Sequence, residues 1–280
     1  MIGRMAAAAA AFLALGGMQA PPQPQAPGEL ALWRLDCGEF VIKQYGAFFS
    51  DTFQYPPGPK RIVDSCYLIR NGDRYMLWDA GLPGELAGQT VDMPAQTMTL
   101  NERIVDQLAP IGVRPEQIEF LGISHYHLDH IGQAADFPNA TLVIGKGDVE
   151  VLRTQTGDFI QPDRLRPWLD GERRMVEAQS DIDLFHDGRV VMLSMPGHTP
   201  NHFALLVRLA SGPVLLSGDL YHFTEQVENR GVPPFNHNRA DTLASMDRFD
   251  RIARNLGART IIQHEPADVA KLPAFPEAAR

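Results

Sequence analysis

The chain has 280 residues, of which 44% are hydrophobic and 21% charged, a composition typical of a folded globular protein and not of a disordered or fibrous one. Its 25 basic and 34 acidic residues give a net charge of −9, which argues against the basic surface of a nucleic-acid binder. Nine histidines are the unusual feature, because imidazole is the commonest metal ligand among side chains.

The first twenty residues have the order of a secretory signal peptide. One basic residue, Arg4, precedes an apolar run from Met5 to Leu15, and small residues follow it. The run is about half of the roughly 20 residues that span a bilayer, so we expect no membrane span. An Ala-rich helix of the domain is the alternative, but the run has no polar stripe and a Pro-rich linker follows it. We predict a signal peptide at 1–20, a linker at 21–30 and a periplasmic or secreted domain at 31–280.

Two cysteines, Cys37 and Cys66, lie in strand-like stretches of the chain. They could pair in an oxidising compartment or stay as two buried thiols, and the sequence leaves both open. Neither belongs to a C-x-x-C pair, which argues against a redox or zinc-ribbon role.

Beyond the linker, short apolar runs alternate with turn signals and a few helix-like segments. The predicted strands are Phe40–Ile42, Ser65–Arg70, Tyr75–Trp78, Phe120–Ile123, Thr141–Ile144, Val190–Ser194, Phe203–Arg208, Val214–Leu216 and Thr260–Gln263. The predicted helices are Leu100–Ala109, Lys146–Thr154 and Asp241–Leu256. Turn signals at 71–73 and 210–212 predict two hairpins. The pattern indicates one α/β domain of about 250 residues, a size that a single core can fill.

A histidine-rich segment follows the predicted strand Phe120–Ile123. It contains His125, His127, Asp129 and His130, so four metal-capable side chains fall within six residues. Such crowding is hard to explain without a cation, and neutral imidazole with carboxylate is the ligand set of Zn²⁺. Three later segments each place one more candidate ligand after a strand: His198 in P-G-H, Asp219 in G-D, and His264 near the C-terminus.

The order H-x-H-x-D-H, P-G-H, G-D and a late His resembles the metallo-β-lactamase superfamily. The resemblance implies a four-layer αβ/βα sandwich with two divalent metal ions, zinc being the first candidate. It implies that one ion is held by His125, His127 and His198, and the other by Asp129, His130 and His264. Asp219 then bridges the two ions. Such a centre lowers the pKa of bound water towards roughly 7, which makes the predicted chemistry hydrolysis by a metal-bridging hydroxide.

Asp219 narrows the choice among the enzyme classes of this superfamily. The resemblance implies that such a bridging carboxylate is typical of lactonases, thioesterases and phosphodiesterases, whereas true β-lactamases lack it. The segments 63–70, 77–83, 125–132, 217–222 and 261–268 resemble most closely the N-acyl homoserine lactone lactonases, the quorum-quenching branch. The best-known lactonases carry a Tyr three residues after the bridging Asp. Here Tyr221 is at plus two and His222 at plus three, so either is a candidate to assist the lactone carbonyl. Asp129 is the candidate that carries a proton to the ring oxygen as it leaves.

An aromatic segment precedes the first predicted hairpin and contains Phe48, Phe49 and Phe53. These rings are candidates for a pocket that binds an acyl chain. The alternative is that they lie in the core or in a homodimer contact. The predicted partner is a small acyl lactone, with no nucleic acid and no membrane span, and a homodimer is left open.

The sequence leaves open the roles of several polar residues other than the predicted ligands. Asp79 and Ser124 either support ligands or form turns. His202 is expected to be a packed neighbour of His198, and His186 and His237 are expected on the surface or in loops. The competing functions are another two-metal hydrolase (a glyoxalase II-like thioesterase, an organophosphate hydrolase or a phosphodiesterase) and a non-catalytic zinc-binding protein.

Overall fold

The computed structural model describes residues 28–280. The predicted signal peptide and most of the predicted linker lie outside the described residues. The strands are β1 (Leu30–Ile42), β2 (Lys60–Asn71), β3 (Arg74–Trp78), β4 (Gln89–Asp92), β5 (Gln96–Leu100), β6 (Ile118–Gly122), β7 (Thr141–Gly145), β8 (Met175–Ala178), β9 (Ile182–Asp183), β10 (Val190–Ser194), β11 (Phe203–Leu209), β12 (Gly212–Leu216) and β13 (Arg259–Ile261). The α-helices are α1 (Tyr45–Phe49), α2 (Ile104–Leu108), α3 (Leu128–Ile131), α4 (Lys146–Thr154), α5 (Arg166–Leu169), α6 (Thr224–Asn229), α7 (Arg239–Leu256) and α8 (Pro266–Val269).

The strands form two sheets. The larger sheet has eight strands in the order β4-β5-β1-β2-β3-β6-β7-β8, and the smaller has five in the order β13-β12-β11-β10-β9. In the larger sheet β1, β2 and β3 are antiparallel neighbours, whereas β3, β6, β7 and β8 run parallel. The turns predicted at 71–73 and 210–212 do join antiparallel pairs, β2 to β3 and β11 to β12.

Alternating side chains divide the core into layers. On β2, Tyr67 and Ile69 pack between the two sheets, whereas Cys66 and Leu68 point to the helical layer formed by α2, α4 and α5. On the other sheet, Leu206 and neighbouring side chains pack against α7. Because both faces of each sheet are covered, the central strands are apolar on both sides. The predicted four-layer αβ/βα sandwich is confirmed.

Most predicted elements are confirmed, and the differences have local causes. The predicted helix Leu100–Ala109 is wrong at its start, because Leu100 ends β5, where it pairs with Gln89 of β4. The α-helix also ends before Pro110, which lies in a 3₁₀ turn, Ala109–Ile111. The short strands β4, β5, β8 and β9 carry too few apolar residues to be recognised from periodicity.

The two cysteines form a disulfide bond between β1 and β2. Of the two possibilities that the sequence leaves open, the structure therefore has the paired one. As for membranes, none of the helices in the described range 28–280 is long and apolar enough to cross a bilayer.

Candidate metal centre

The metal-capable side chains follow strands of both sheets. His125 and His127 lie between β6 and α3, whereas His198 follows β10, Asp219 follows β12 and His264 follows β13. The strands are rigid and the connecting loops are short, so the scaffold fixes where each side chain begins. Residues from distant parts of the chain meet at one edge of the sandwich for this reason.

Three ring nitrogens converge on one point: Nε2 of His125, Nδ1 of His127 and Nε2 of His198. Their separations are 2.9 Å between His125 and His127, 3.2 Å between His125 and His198, and 3.1 Å between His127 and His198. Three nitrogens at the usual bond length from one tetrahedral zinc ion lie about 3.3 Å apart. The triangle therefore has the size of a metal-ligand set.

Asp219 lies between this triangle and a second group formed by Asp129, His130 and His264. Its Oδ2 is 3.7 Å from Nε2 of His125, in the first group. Its Oδ1 is 3.2 Å from Nε2 of His130 and 2.9 Å from Nε2 of His264, in the second group. One carboxylate thus offers one oxygen to each group, which is the arrangement that a bridging residue requires.

These residues fit two divalent ions. Nε2 of His130 and Oδ1 of Asp219 are buried, and within the described part of the chain neither has a partner with hydrogen-bond geometry. A buried polar atom left unpaired costs about 1–3 kcal/mol, whereas imidazole and carboxylate are good donors to a divalent ion. The structure therefore brings together all seven predicted side chains, in the two predicted sets.

The outer nitrogens of two of these histidines have oxygen partners. Nδ1 of His130 is 2.9 Å from Oδ2 of Asp79, and Nδ1 of His264 is 2.6 Å from the carbonyl oxygen of Val63. Because these oxygens accept, Nδ1 carries the hydrogen when the ring is neutral, and Nε2 then presents its lone pair to the centre. Both rings are thus held in the tautomer that a metal ligand needs.

The electrostatics of the two groups differ. Burial lowers the pKa of His127 to about 4 and holds the pKa values of His125 and His198 well below their usual range. For His264, burial opposes the charged ring, but the Asp219 carboxylate outweighs it and raises the pKa to about 9. The first group is therefore neutral at pH 7, and the second attracts positive charge.

Asp79 and Ser124 support the ligands. Asp79 follows β3 with a positive φ of 59°, so it forms a turn as well. Its carboxylate accepts from the backbone N–H of Ser124 at 2.7 Å and from the Ser124 hydroxyl at 2.9 Å. The same hydroxyl lies 3.0 Å from Nδ1 of His125. Asp79 therefore both supports ligands and forms a turn, the two roles that the sequence left open.

His202 does more than pack beside His198. Its Nε2 accepts a hydrogen bond of 2.9 Å from the backbone N–H of Asp219, and its Nδ1 lies 3.2 Å from the carbonyl oxygen of Met195. The ring thus ties the loop after β12 to the loop that carries His198. Burial lowers the pKa of His202 to about 4, which keeps it neutral.

Sequence reasoning missed two further supporting residues. Nδ1 of His198 lies 2.9 Å from Oδ1 of Asn236, and the Gln263 amide donates to Asp79 at 2.7 Å. Gln263 directly precedes a ligand, so its position was a signal. Asn236 lies in a loop that carries no recognisable motif.

The prediction that Tyr221 assists the lactone carbonyl is wrong. Its hydroxyl donates to Asp250 of α7 at 3.2 Å, and its ring packs on Phe249 on the outer side of the smaller sheet. It therefore faces away from the metal-capable cluster, because side chains of successive residues leave the chain in opposite directions. His222 faces the cluster instead, with Nε2 3.3 Å from Oδ2 of Asp219.

An apolar cavity of about 360 Å³ opens onto the cluster. Phe48 and Phe49 line it as predicted, together with Phe235, which the sequence did not single out. The prediction that Phe53 lines the pocket is wrong, because this residue is 90% exposed and is not among those that line the cavity. Asp129 lies at the wall between the cavity and the cluster.

Residues 61–264 match the model of the metallo-beta-lactamase superfamily. The chain therefore belongs to this superfamily, and the prediction of a metal-dependent hydrolase is confirmed. Among curated relatives, it is 30% identical to the N-acyl homoserine lactonase AttM of Rhizobium johnstonii, over 75% of this chain and 85% of that protein. It is 27% identical to an N-acyl homoserine lactonase of a Bacillus species, over 76% and 85%. The predicted resemblance to the lactonase branch is confirmed.

Solved structures agree on the fold. A quorum-quenching N-acyl homoserine lactone hydrolase superposes with a TM-score of 0.76 at 21% identity, over 90% of this chain and 99% of that one. An N-acyl homoserine lactone hydrolase with N-hexanoyl-L-homoserine at its catalytic metal centre superposes with a TM-score of 0.74 at 22% identity, over 90% and 100%.

Proposed function

We propose that this chain opens the lactone ring of N-acyl homoserine lactones with two divalent ions, zinc being the first candidate. The named activity of its relatives supports the substrate class. The observation that carries the proposal is the direct contact between an aromatic cavity and the metal-capable cluster, with Asp129, Asp219 and His222 on their shared wall. A substrate with a reactive polar ring and an apolar tail fits this division.

The two groups of ligands would hold the ions, and Asp219 would offer one oxygen to each group. When bound, such ions supply a hydroxide nucleophile near neutral pH and polarise a carbonyl oxygen. The aromatic rings of Phe48, Phe49 and Phe235 bind the acyl chain and exclude water from it. The bond between the carbonyl carbon and the ring oxygen breaks, and the products are a carboxylate and a hydroxyl.

Asp129 is the residue that carries a proton to the departing ring oxygen. Its carboxylate lies in the second group, with Oδ2 3.9 Å from Nε2 of His264, and its side chain is 17% exposed on the cavity side. It therefore contacts both the cluster and the space that the substrate enters. A carboxyl in this position acts as a general acid when protonated.

The lining of the cavity argues against two of the competing substrates. Neither Lys nor Arg is among the described residues that line it. A glutathione thioester and a phosphodiester are both anionic and need compensating charge beyond the metal centre. A neutral organophosphate triester needs no such charge, so the lining does not argue against this substrate. Only an assay distinguishes it from a lactone.

The test is hydrolysis of N-hexanoyl homoserine lactone, a glutathione thioester, a phosphodiester and a phosphotriester by the purified zinc-loaded protein. We expect kcat/KM to be highest for the lactone. No lactone turnover with two ions bound would overturn the proposal and favour a binding protein.

Asp219→Asn tests the bridging role. Asn offers one acceptor oxygen and no charge, so we expect loss of bound metal and a fall in lactone turnover of at least about 100-fold, since losing only an outer partner of a ligand already costs about 10–100-fold. Asp73→Asn, in the exposed β2–β3 turn, is the control. Unchanged turnover and metal content in the Asp219 variant would contradict the scheme.

We also propose that the chain acts outside the cytoplasm. The predicted signal peptide and the disulfide bond between Cys37 and Cys66 support this, because disulfides persist in oxidising compartments. The test is fractionation of expressing cells and the intact mass of the purified protein. We expect a periplasmic or secreted product that has lost its leader, and a full-mass cytoplasmic product would contradict the proposal.

A further inference from the structure

Two cavities adjoin beside the metal-capable cluster. The apolar cavity of about 360 Å³ that opens onto the cluster shares part of its wall with a second cavity of about 400 Å³. The shared residues are Phe40, Phe48, Gln96, Asp129, Asp158 and Phe159. Beyond them the second cavity is lined mainly by apolar side chains such as Leu82, Leu86 and Met98. An acyl chain that leaves the first cavity therefore has a second apolar space to enter.

Of the six shared residues, Gln96 at the start of β5 is the one that is polar and uncharged. It is 6% exposed. Its backbone pairs with Ile42 of β1, and its carbonyl oxygen accepts from the backbone N–H of Met93 at 2.8 Å. Its side-chain amide, by contrast, has no hydrogen-bond partner among residues 28–280. A buried amide without a partner is costly to strip of water, so this group points to a polar atom of a ligand.

The strand register places Gln96 away from the cluster along the cavity wall. In the ladder between β1 and β5, Phe40 pairs with Met98 and Ile42 pairs with Gln96. The Phe40 ring lies edge-on to the ring of His264, with centroids 6.2 Å apart. Two residues along a strand span about 7 Å, so Gln96 lies one such step beyond the level of Phe40. This position faces the acyl chain and not the lactone ring.

The donor group of the Gln96 amide distinguishes it from the rest of the shared wall. The other five residues are Phe and Asp, and an ionised carboxylate only accepts hydrogen bonds. A keto oxygen also only accepts, so among these six side chains it finds a donor only at Gln96. A saturated chain displaces water from the amide and returns no hydrogen bond, whereas a keto oxygen restores one.

We propose that Gln96 is a specificity-determining residue, which selects acyl chains that carry a keto oxygen near the amide-linked end. Nε2 of Gln96 donates to this oxygen, and the saturated remainder of the chain extends into the second cavity. This selectivity rests on the proposed function, which places the lactone ring at the cluster, and it adds the chemical class of the chain.

The test compares N-(3-oxododecanoyl) and N-dodecanoyl homoserine lactone as substrates of the zinc-loaded parent and of Gln96→Met. Met keeps the length of the side chain and removes the amide. We expect the kcat/KM ratio of the keto substrate to the saturated one to fall roughly 2–10-fold in the variant, mainly through KM, as the loss of one hydrogen bond predicts. Gln89→Met, at an exposed position of β4 outside both cavities, is the control and keeps the parent ratio. An unchanged ratio in Gln96→Met, including an equal loss on both substrates, would overturn the proposal.

A second measurement reports the same contact without turnover. Calorimetry follows the binding of the two ring-opened products, N-(3-oxododecanoyl)-homoserine and N-dodecanoyl-homoserine, to the zinc-loaded parent and to Gln96→Met. We expect the parent to bind the keto compound more tightly and the variant to lose that preference. Absence of lactone turnover in the parent contradicts the proposed function. A parent that hydrolyses both lactones and binds both products equally contradicts only the role of Gln96.

Discussion

At the scale of single residues, Asp79 shows how much of the centre depends on groups that touch no substrate. Its positive φ is a conformation that few residues other than Gly adopt, so the backbone is strained there. Its carboxylate accepts from Ser124, from His130 at 2.9 Å and from Gln263 at 2.7 Å. These contacts hold the His130 ring with Nε2 free for an ion.

Asp79→Asn keeps the shape of this residue and replaces one acceptor oxygen by a donor. We expect the second ligand group to bind its ion about tenfold more weakly, because outer partners of a ligand histidine contribute that much to affinity. The unfolding free energy should fall by about 1–3 kcal/mol, since one buried donor is left unpaired. Metal analysis and urea unfolding measure both effects, with Asp73→Asn as control. Full occupancy in the variant would show that Asp79 does not position His130.

At the scale of elements, the first turn of α4 joins two ligand loops. The carboxylate of Asp148 accepts from the backbone N–H of Tyr126 at 3.2 Å, from the Thr199 hydroxyl at 2.8 Å and from the backbone N–H of Asn201 at 2.8 Å. Tyr126 lies between two ligands, and Thr199 directly follows His198. The helix thus fixes the distance between the loops after β6 and β10.

Asp148 should also contribute a pH dependence. Burial raises its pKa to about 7, so between about pH 4 and 7 the folded state keeps a proton that the unfolded state has released. Stability falls as pH rises through that window, by about 1.4 kcal/mol per pH unit at most. Asp148→Asn removes this contribution, so the difference in unfolding free energy between parent and variant should decrease from pH 4 to 7. Urea unfolding at each pH measures it, and a constant difference would contradict the assignment.

The short helix α1 carries two of the rings that line the cavity, Phe48 and Phe49. We expect Phe48→Ala to change the preference between short and long acyl chains, because the cavity widens where the chain lies. Metal content should stay the same, since the ring touches no ligand loop. Phe53→Ala is the matched control, because that ring is exposed. Kinetics on a series of acyl homoserine lactones checks this, and identical profiles for parent and Phe48→Ala would count against the acyl pocket.

At the scale of the whole molecule, the sequence predicted most of the strands and all seven clustered side chains because both leave local patterns. Apolar strands and a motif such as H-x-H-x-D-H are readable in a few consecutive residues. The roles of Asn236 and Asp148 were not readable, because each depends on a contact between segments that only the fold brings together. The long strand β1 was predicted only at its end, Phe40–Ile42, since Arg34 and Asp36 interrupt its apolar run.

The centre also connects the two halves of the sandwich. His125, His127 and His130 follow the larger sheet, whereas His198, Asp219 and His264 follow the smaller one. Removing the ions with a chelator should therefore lower the melting temperature of the whole domain, because binding to the folded state alone contributes about 2.7 kcal/mol at an ion concentration of 100 times Kd. Calorimetry with and without chelator measures this. Asp219→Asn should respond much less, and an unchanged melting temperature in the parent would exclude such a link.

The carboxylates around His130 and His264 raise the pKa of both rings, so the centre exchanges protons for metal ions. Without ions, the Asp219 carboxylate keeps His264 charged up to about pH 9, so a proton supplies the positive charge that the folded site needs. A divalent ion must displace that proton before it can bind. Binding of the metal ions therefore releases protons into the medium. The apparent affinity for the metal ions rises with pH even where the geometry of the ligands does not change.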